Sequence, residues 1–267
     1  MKAETTPRVP ERLAQAERIR LFLDYDGTLA DFAPTPEHVN PDPELVALIH
    51  RLARHPQFRV AVVSGRRLAH VQELVPVPGV LLAGTYGVEL QTPEGARIDR
   101  LDYDSVRPTL DTLKPRWTDL IAGRVGYFLE DKGWALALHA RFADEAESTR
   151  VLAGARRLAE AAMRQAAPGL FRLLGGHKFL EIGPALAHKG LAVAYLLDQF
   201  PWHGALPLYL GDDDKDEEAF GVIKARGGMA VVVAREPRET EADLRLGSPR
   251  AARGWLERLL GVMDGGR

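Results

Sequence analysis

The chain has 267 residues, with 35 Lys and Arg against 37 Asp and Glu. Such a balanced charge gives no general attraction to nucleic acid or to a membrane surface, so neither partner is expected. The absence of cysteine excludes disulfide bonds, thiolate metal sites and a cysteine nucleophile. No apolar stretch approaches the roughly 18 residues of a membrane span, and the amino-terminal segment lacks the apolar core of a signal peptide, so a cytoplasmic location is expected.

Short apolar runs alternate with helical patterns along most of the chain. The runs are RIRLFL before Asp24, FRVAVV before Ser64, VLLAG before Thr85, LPLYL before Gly211 and MAVVVA up to Ala234. Runs of this length that are rich in Val, Leu and Ile are typical of strands buried on both faces. The alternation therefore predicts an α/β fold with a doubly wound parallel sheet.

The middle of the chain departs from this alternation. Its pattern predicts a helix, two strands, a second helix and two further strands, which is the order of a small α+β layer. We therefore predict a core domain in two parts, 1–103 and 185–267, with a cap domain at 104–184 between them. The cap is expected to act as a lid over the catalytic edge and to set substrate specificity.

Two carboxylates, Asp24 and Asp26, follow the first apolar run. Residues two apart in an extended segment face the same way, and Gly27 lets the chain turn away after them. The segment GDDDKDEEAF, which starts at Gly211, adds carboxylates at the end of another predicted strand. Ligands of parallel sheets bind at the carboxyl ends of the strands, and oxygen ligands suit magnesium. The sequence thus predicts a Mg²⁺ site at this edge.

A phosphate-binding group is predicted beside this site. Ser64 and Gly65 lie at a strand-to-helix turn, where a hydroxyl and backbone N–H groups hold a phosphate. Lys189 begins a helix and can neutralise the same phosphate. An acidic nucleophile, a metal, a hydroxyl and a lysine together indicate phosphoryl transfer through an aspartyl-phosphate.

Four motifs occur in order: DYDGT at 24–28, SGR at 64–66, HKG at 188–190 and GDDDKDEEAF at 211–220. This set resembles the haloacid dehalogenase-like hydrolases, whose fold is a doubly wound sheet with an inserted cap. More narrowly, DYDGTLADFAPTP, GTYGVE, FLEDKGWALALHAR and KFLEIGP resemble the trehalose-6-phosphate phosphatases. The resemblance extends from about Leu21 to Phe220, and it implies Mg²⁺-dependent hydrolysis of trehalose 6-phosphate to trehalose and phosphate.

The resemblance also implies roles for the acidic residues. Asp24 is expected to be the nucleophile and a magnesium ligand. Asp26 is expected to protonate the leaving sugar oxygen, to deprotonate the attacking water, and to give its backbone carbonyl to the metal. Thr28 is expected to orient Asp26, and Asp212 to complete the metal site.

Further residues are implied around the phosphate and the sugar. The phosphoryl group is expected to contact Ser64, Gly65, Arg66 and Lys189. Asp213 and Asp216 are expected to fix Lys189 and the water around the metal. In the cap, the residues expected to bind the sugar are Glu130, Lys132, Lys178 and Glu181, although Glu130 and Lys132 flank a turn that a plain salt bridge also suits.

Two positions depart from the family pattern, which commonly has His at Tyr86 and Arg at Gly183. The same cap architecture resembles phosphatases of sucrose phosphate and of glycosyl-3-phosphoglycerate, as well as phosphomannomutases. A non-catalytic sugar-phosphate-binding domain that serves a synthase is a further alternative, and trehalose-6-phosphate synthase is the functional partner that the resemblance implies.

Overall fold

The apolar runs of the sequence form strands in the computed structural model, which describes residues 7–32 and 40–265. Residues 33–36, which end the segment DYDGTLADFAPTP, lie outside the described residues. Up to residue 99 the elements are α1 (Glu11–Ala14), β1 (Ile19–Leu23), α2 (Pro43–Arg54), β2 (Phe58–Val63), α3 (Leu68–Leu74), β3 (Leu81–Gly84), β4 (Glu89–Gln91) and β5 (Arg97–Asp99). The middle of the chain forms α4 (Tyr103–Ile121), β6 (Phe128–Asp131), β7 (Leu136–His139), α5 (Glu145–Met163), β8 (Phe171–Gly176) and β9 (Phe179–Pro184). The last part forms α6 (Lys189–Gln199), β10 (Leu206–Gly211), α7 (Asp214–Ala225), β11 (Met229–Val233), β12 (Leu244–Leu246) and α8 (Pro249–Gly265).

The chain divides into two compact units. One comprises Met1–Ile98 with His188–Arg267, and the other comprises Asp99–Ala187. Both predicted boundaries, 104 and 184, lie a few residues inside the second unit. That this unit acts as a lid stays a prediction.

The larger sheet has the strand order β12-β11-β10-β1-β2-β3-β4-β5. Every pair from β12 to β3 is parallel, and β4 joins the edge antiparallel to β3. The chain proceeds from β1 to one side through β2 and β3, and later to the other side from β10 outward. The strand order therefore reverses at β1, the position where ligands bind in open α/β sheets.

Both faces of this sheet are covered. Leu21 and Leu23 of β1 pack into one apolar cluster with Trp255 of α8, whereas Phe22 packs into a second cluster with Leu196 of α6. Successive strand residues point to opposite faces, so a continuous apolar run is what two covered faces require. The predicted doubly wound parallel sheet is confirmed.

A buried charge, that of Arg20, lies in the central strand β1. The Arg20 side chain lies over the Phe22 ring, at 5.6 Å, and β1 pairs Arg20 with Arg59 of β2. Among the described residues, Nε and Nη2 of Arg20 are buried without a hydrogen-bond partner. Burial lowers the pKa of Arg20 to about 10, and Arg59 adds to the decrease. An unpaired buried guanidinium costs stability.

We expect Arg20→Met to stabilise the protein by about 1–3 kcal/mol, because a methionine fills similar volume without a charge to desolvate. Thermal and urea unfolding measure this change. Arg116→Met, at an exposed position of α4, is the control and should change stability by less than about 0.5 kcal/mol. A loss of stability in Arg20→Met would show that the guanidinium has a favourable partner.

The second unit is a four-stranded antiparallel sheet in the order β6-β7-β9-β8. Helices α4 and α5 pack against it and against each other, and the Trp117 indole donates to the Ala155 carbonyl at 3.0 Å. On β7 and β9, Leu138 faces its buried partner Leu180, while Ala137 is paired with Glu181. Leu138 and Leu180 therefore lie on one face of the sheet, and Glu181 lies on the other.

No helix in the described part of the chain is long and apolar enough to cross a membrane.

Candidate active site

Three predicted motifs meet at the carboxyl ends of neighbouring strands. Asp24 follows β1, Ser64 follows β2 and Asp212 follows β10. The Asp24 amide donates to the Leu210 carbonyl at 2.9 Å, so the pairing of β1 with β10 continues as far as Asp24. These side chains therefore gather where the strand order reverses.

Asp24 is buried within a chain of short hydrogen bonds. The Lys189 ammonium donates to Asp24 Oδ1 at 2.8 Å and to Asp216 Oδ1 at 2.6 Å. Burial lowers the pKa of Lys189, but Asp216 and Asp24 outweigh burial and raise the pKa well above its ordinary value. Lys189 therefore stays charged next to Asp24.

Asp216 is fully engaged by hydrogen-bond donors. Its Oδ1 accepts from Lys189 and from the Tyr209 hydroxyl, at 2.6 and 2.7 Å. Its Oδ2 accepts from the backbone amides of Asp212 and Asp213, at 3.0 and 3.1 Å. These four bonds make Asp216 a support for Lys189 and for the start of α7, and its oxygens are poorly placed to give electrons to a metal as well.

Asp24 and Asp212 form a pair of carboxylates suited to a divalent cation. One oxygen from each, and one from Asp216, lie within 4.8 Å of one another. Burial is the main cause that raises the pKa of both Asp24 and Asp212 to about 7, and nearby carboxylates add to it. A Mg²⁺ ion would relieve this repulsion, and oxygen donors are the ligands it prefers. Since the Asp216 oxygens already accept four hydrogen bonds, Asp24 and Asp212 are the side chains that fit the ion best. Coordination of the ion by the backbone carbonyl of Asp26 stays a prediction.

We expect MgCl₂ to raise the Tm of the metal-free protein by about 3–8 °C near pH 8 and by much less near pH 5.5. The ligands must be ionised to bind the ion, and with pKa values near 7 both are mainly protonated at the lower pH. Thermal melts with and without Mg²⁺ measure the shift, and Asp212→Asn should remove it. An equal shift at both pH values, or in the variant, would contradict this site.

The predicted contact between Thr28 and Asp26 is not what the structure shows. The Thr28 hydroxyl lies 2.9 Å from Asp24 Oδ2 and 3.1 Å from Asp212 Oδ1. Its single proton can serve one of these at a time. Thr28 thus orients the two candidate metal ligands, because its side chain points inward after the turn at Gly27.

Asp26 is instead held by Arg66. The guanidinium donates from Nε and Nη2 to the two Asp26 oxygens, at 2.6 Å each. The Arg66 amide donates to Ser64 Oγ at 3.1 Å, so the turn after β2 brings a hydroxyl and a guanidinium together. The sequence motif places Arg66 at the substrate but carries no signal for this pairing, which joins side chains 40 positions apart.

Asp213 is the amino-terminal cap of α7. Its Oδ1 accepts from the amides of Lys215 and Asp216, and its Oδ2 lies 3.1 Å from the Lys215 ammonium. Burial raises the pKa of Asp213, but the ammonium groups of Lys189 and Lys215 outweigh burial and hold the pKa below its usual range. Asp213 therefore contributes a negative charge 3.9 Å from Lys189, and its role in fixing Lys189 and the water around the metal stays a prediction.

The region after Arg235 supports the site from outside. Arg238 donates to the Asp212 carbonyl at 2.8 Å and pairs with Glu217 at 3.0 Å. Arg253 of α8 donates to the Leu29 carbonyl at 2.6 Å. The sequence analysis gave this region no role, although the spacing of Trp255, Leu256, Leu259, Leu260 and Met263 is that of an amphipathic helix.

In the second unit, two of the predicted sugar-binding carboxylates, Glu181 and Glu130, each have a close polar partner. The Lys132 ammonium lies 2.6 Å from Glu181 Oε2, and both side chains are buried. Glu130 Oε2 lies 3.0 Å from His139 Nε2. The register places Glu130 opposite Ala137, and Ala137 opposite Glu181. The two carboxylates therefore lie on one face of the sheet, with Lys132 contacting Glu181 from the adjoining turn.

Lys178 lies apart from this group. Its ammonium is 2.7 Å from the Ala143 carbonyl and 3.1 Å from Glu145, so it joins the β8–β9 turn to the start of α5. This is a structural contact and differs from the predicted contact with the sugar. Arg172 stands directly opposite Gly183 across the β8–β9 pair, so an arginine occupies the strand next to the position where the family commonly has one.

Known proteins are similar to this chain over most of its length. The model of the trehalose-phosphatase family matches residues 22–250. A probable trehalose-phosphate phosphatase of Sinorhizobium fredii is 33% identical over 239 residues, which cover 90% of this chain and 86% of the relative. The structure of an Aspergillus fumigatus trehalose-6-phosphate phosphatase is similar at a TM-score of 0.68 and 25% identity, covering 96% of this chain and 99% of the other. The carboxy-terminal domain of a Candida albicans trehalose-6-phosphate phosphatase shares the fold at a TM-score of 0.80 and 21% identity, covering 97% of this chain and 99% of that domain.

Proposed function

The chain belongs to the trehalose-phosphatase family, and from this premise we propose that it hydrolyses trehalose 6-phosphate to trehalose and inorganic phosphate with Mg²⁺ as cofactor. The observation that carries the proposal is the buried Asp24 carboxylate, bonded to Lys189 at 2.8 Å at the end of the central strand. A carboxylate in this position can act as a nucleophile, and a fixed ammonium can stabilise the phosphate that it attacks.

The first half of the reaction is transfer to Asp24. An Asp24 oxygen attacks phosphorus and the bond from phosphorus to the sugar oxygen breaks. The leaving oxygen takes a proton from Asp26, and Lys189 and Ser64 hold the oxygens of the phosphoryl group. In the second half Asp26 removes a proton from water, which attacks the aspartyl-phosphate, and the bond from phosphorus to Asp24 breaks.

Asp26 must be released from Arg66 to carry out its first step. Both of its oxygens accept N–H groups of Arg66, which favours the carboxylate form. A bound phosphate competes for the same guanidinium, since arginine forms bidentate bonds with phosphate as well. We propose that substrate draws Arg66 away and so frees Asp26 to hold a proton.

The metal would be held by Asp24, Asp212 and the Asp26 carbonyl. When bound, Mg²⁺ supplies positive charge that lets an anionic carboxylate approach an anionic phosphate. Thr28 keeps Asp24 and Asp212 oriented for it, and Asp216 keeps Lys189 beside Asp24.

The second unit would bind the sugar. Glu130, Lys132 and Glu181 carry the charged donors and acceptors that suit the vicinal hydroxyls of a disaccharide. Their pairing in the free protein prearranges them, and hydroxyl groups of the ligand can replace or bridge these bonds. Trehalose-6-phosphate synthase is the expected supplier of the substrate, in the cytoplasm.

The test is phosphate release with and without Mg²⁺ from trehalose 6-phosphate, sucrose 6-phosphate, glucose 6-phosphate and glucosyl-3-phosphoglycerate. We expect kcat/KM for trehalose 6-phosphate to exceed the others by at least about tenfold, or about 1.4 kcal/mol. Glu130→Gln should reduce that preference, while Glu147→Gln, at an ion pair of α5 with Arg124, should not. A preference for another sugar phosphate would overturn the substrate, and no release from any of them would favour a non-catalytic sugar-phosphate-binding role.

A further inference from the structure

Two unusual local features meet beside the phosphate-binding turn. Thr85 and Tyr86 have φ angles of 48° and 52°, in the left-handed region that side chains other than glycine rarely adopt. Lys215 lies in the first turn of α7, where the helix dipole disfavours a cation. Unfavourable backbone angles and unfavourably placed charges persist mainly where the surrounding structure or the function requires them.

The strained segment is firmly held. The Thr85 amide donates to the Arg66 carbonyl at 2.7 Å, and the Tyr86 amide donates to the Ser64 carbonyl at 2.8 Å. The Thr85 hydroxyl donates to the buried Glu89 carboxylate at 2.9 Å. These bonds join Tyr86 to the turn that carries Ser64.

The Tyr86 ring covers Gly65. A Cβ placed on Gly65 would lie 2.6 Å from ring carbons and from the hydroxyl of Tyr86, so only glycine fits under the ring. The ring therefore lies directly over the turn whose Ser64 hydroxyl and Gly65 amide are expected to contact the phosphoryl group. The tyrosine hydroxyl, at the edge of this turn, is a hydrogen-bond donor for an anion there.

The Lys215 ammonium lies beside the same ring. It is 5.8 Å from the ring centre and 3.1 Å from Asp213 Oδ2, and about three quarters of the side chain is buried, since 24% is exposed. Burial lowers the pKa of Lys215, but Tyr86 and Asp213 outweigh burial and raise the pKa above its ordinary value. A charged amine is therefore held beside the ring that covers Gly65.

We infer that Lys215 and Tyr86 form a second anion-binding wall of the active site, which binds the phosphoryl oxygens of the substrate in addition to Lys189. Lys189 already donates to two carboxylates, Asp24 and Asp216. Several carboxylates line the site, so a dianionic phosphate needs further positive charge to enter it. Lys215 supplies that charge, and the Tyr86 hydroxyl sets the direction of approach.

This inference rests on the proposed phosphatase function, and it assigns Lys215 to binding the phosphoryl group equally in substrate and in transition state. Such uniform binding affects KM and leaves kcat little changed. It also applies to the product, so inorganic phosphate should bind through the same two side chains. Phosphate binding is therefore a readout that needs no turnover.

The experiment compares Lys215→Met with Lys224→Met, a matched lysine at the far end of the same helix that pairs with Asp243. In Mg²⁺ buffer, Lys215→Met should raise KM and the inhibition constant of inorganic phosphate by about tenfold, with kcat within about threefold. Tyr86→Phe should raise both by about two- to fivefold, and Lys215→Arg should stay within about threefold of the original protein. Lys224→Met should change none of them.

Calorimetric titration of inorganic phosphate into the original protein and into Lys215→Met measures phosphate affinity without turnover. It therefore tests the role of Lys215 independently of the proposed phosphatase function. If trehalose 6-phosphate is not hydrolysed, the proposed function fails, yet weaker phosphate binding by the variant still supports the wall. If hydrolysis occurs but the variant keeps its KM and phosphate affinity while its Tm falls, Lys215 only stabilises Asp213 and the inference is wrong. Should Lys215→Met fail to fold, Lys215→Gln retains a donor for Asp213, and unchanged phosphate affinity in it is equally decisive.

Discussion

Replacing Asp24 with Asn should abolish phosphate release, with kcat reduced by about 10⁴-fold or more. The amide has nearly the same shape as the carboxylate, but its oxygen is a poor nucleophile. Lys189 keeps its 2.6 Å bond to Asp216, so the ammonium is not left unpaired. The site should therefore remain assembled while its chemistry is lost.

Stability and binding distinguish this loss from unfolding. Because burial raises the pKa of Asp24 to about 7, the metal-free folded protein binds more protons than the unfolded chain between the ordinary carboxyl pKa and about 7. Its stability should consequently fall as pH rises through that range, and less so in Asp24→Asn. Thermal melts near pH 5 and pH 8 measure this, with Asp198→Asn at the exposed pair with Arg226 as control. Retention of more than a tenth of the activity in Asp24→Asn would place the nucleophile elsewhere.

Gly27→Ala should lower kcat/KM by about 10²–10³-fold and remove the thermal shift caused by Mg²⁺. Gly27 has φ of 81°, and a Cβ there would overlap the Asp212 carboxylate and lie 2.7 Å from the Phe32 ring. The added methyl group must therefore displace one of the two best candidate ligands of the metal. Displacement of even 1 Å at such a site is costly to catalysis.

Gly79 provides a matched control for this substitution. Its φ is 82°, almost the same as that of Gly27, but a Cβ there meets nothing within 4 Å. Both alanine variants share the left-handed backbone cost of about 1–2 kcal/mol, and the overlap with Asp212 and Phe32 adds a further loss of stability in Gly27→Ala alone. Only Gly27→Ala should lose activity and Mg²⁺ binding, and equal activities in the two variants would show that the close approach to Asp212 is not needed.

The parts of the fold that the sequence predicts are those that burial dictates. A strand covered on both faces must be apolar throughout, so β1, β2 and β10 were evident as short runs ending in polar residues. Strands β4, β5 and β12 have three residues each, too few to show a period. Helix α8 did carry a readable amphipathic period, and its role was missed because no motif marked it.

The candidate active site also has features that the sequence predicts and features that it does not. The positions of Asp24, Ser64 and Asp212 follow from topology, since parallel strands end at one edge. The partners of Thr28 and Arg66 do not follow from it, because they depend on which way side chains point after a turn. The sequence analysis assigned Thr28 to Asp26, and the structure assigns it to Asp24 and Asp212. Lys215 gave no signal because lysine among acidic residues is typical of a solvated helix end.

The position of β1 has a consequence for synthesis of the protein. Its partner β2 follows soon after it in the chain, but its other partner, β10, begins at Leu206, after the whole middle unit. Until that segment emerges from the ribosome, one edge of β1 lacks its native neighbour. An open edge of this kind invites pairing with other chains, so the nascent protein is most exposed to aggregation while the middle unit is being made.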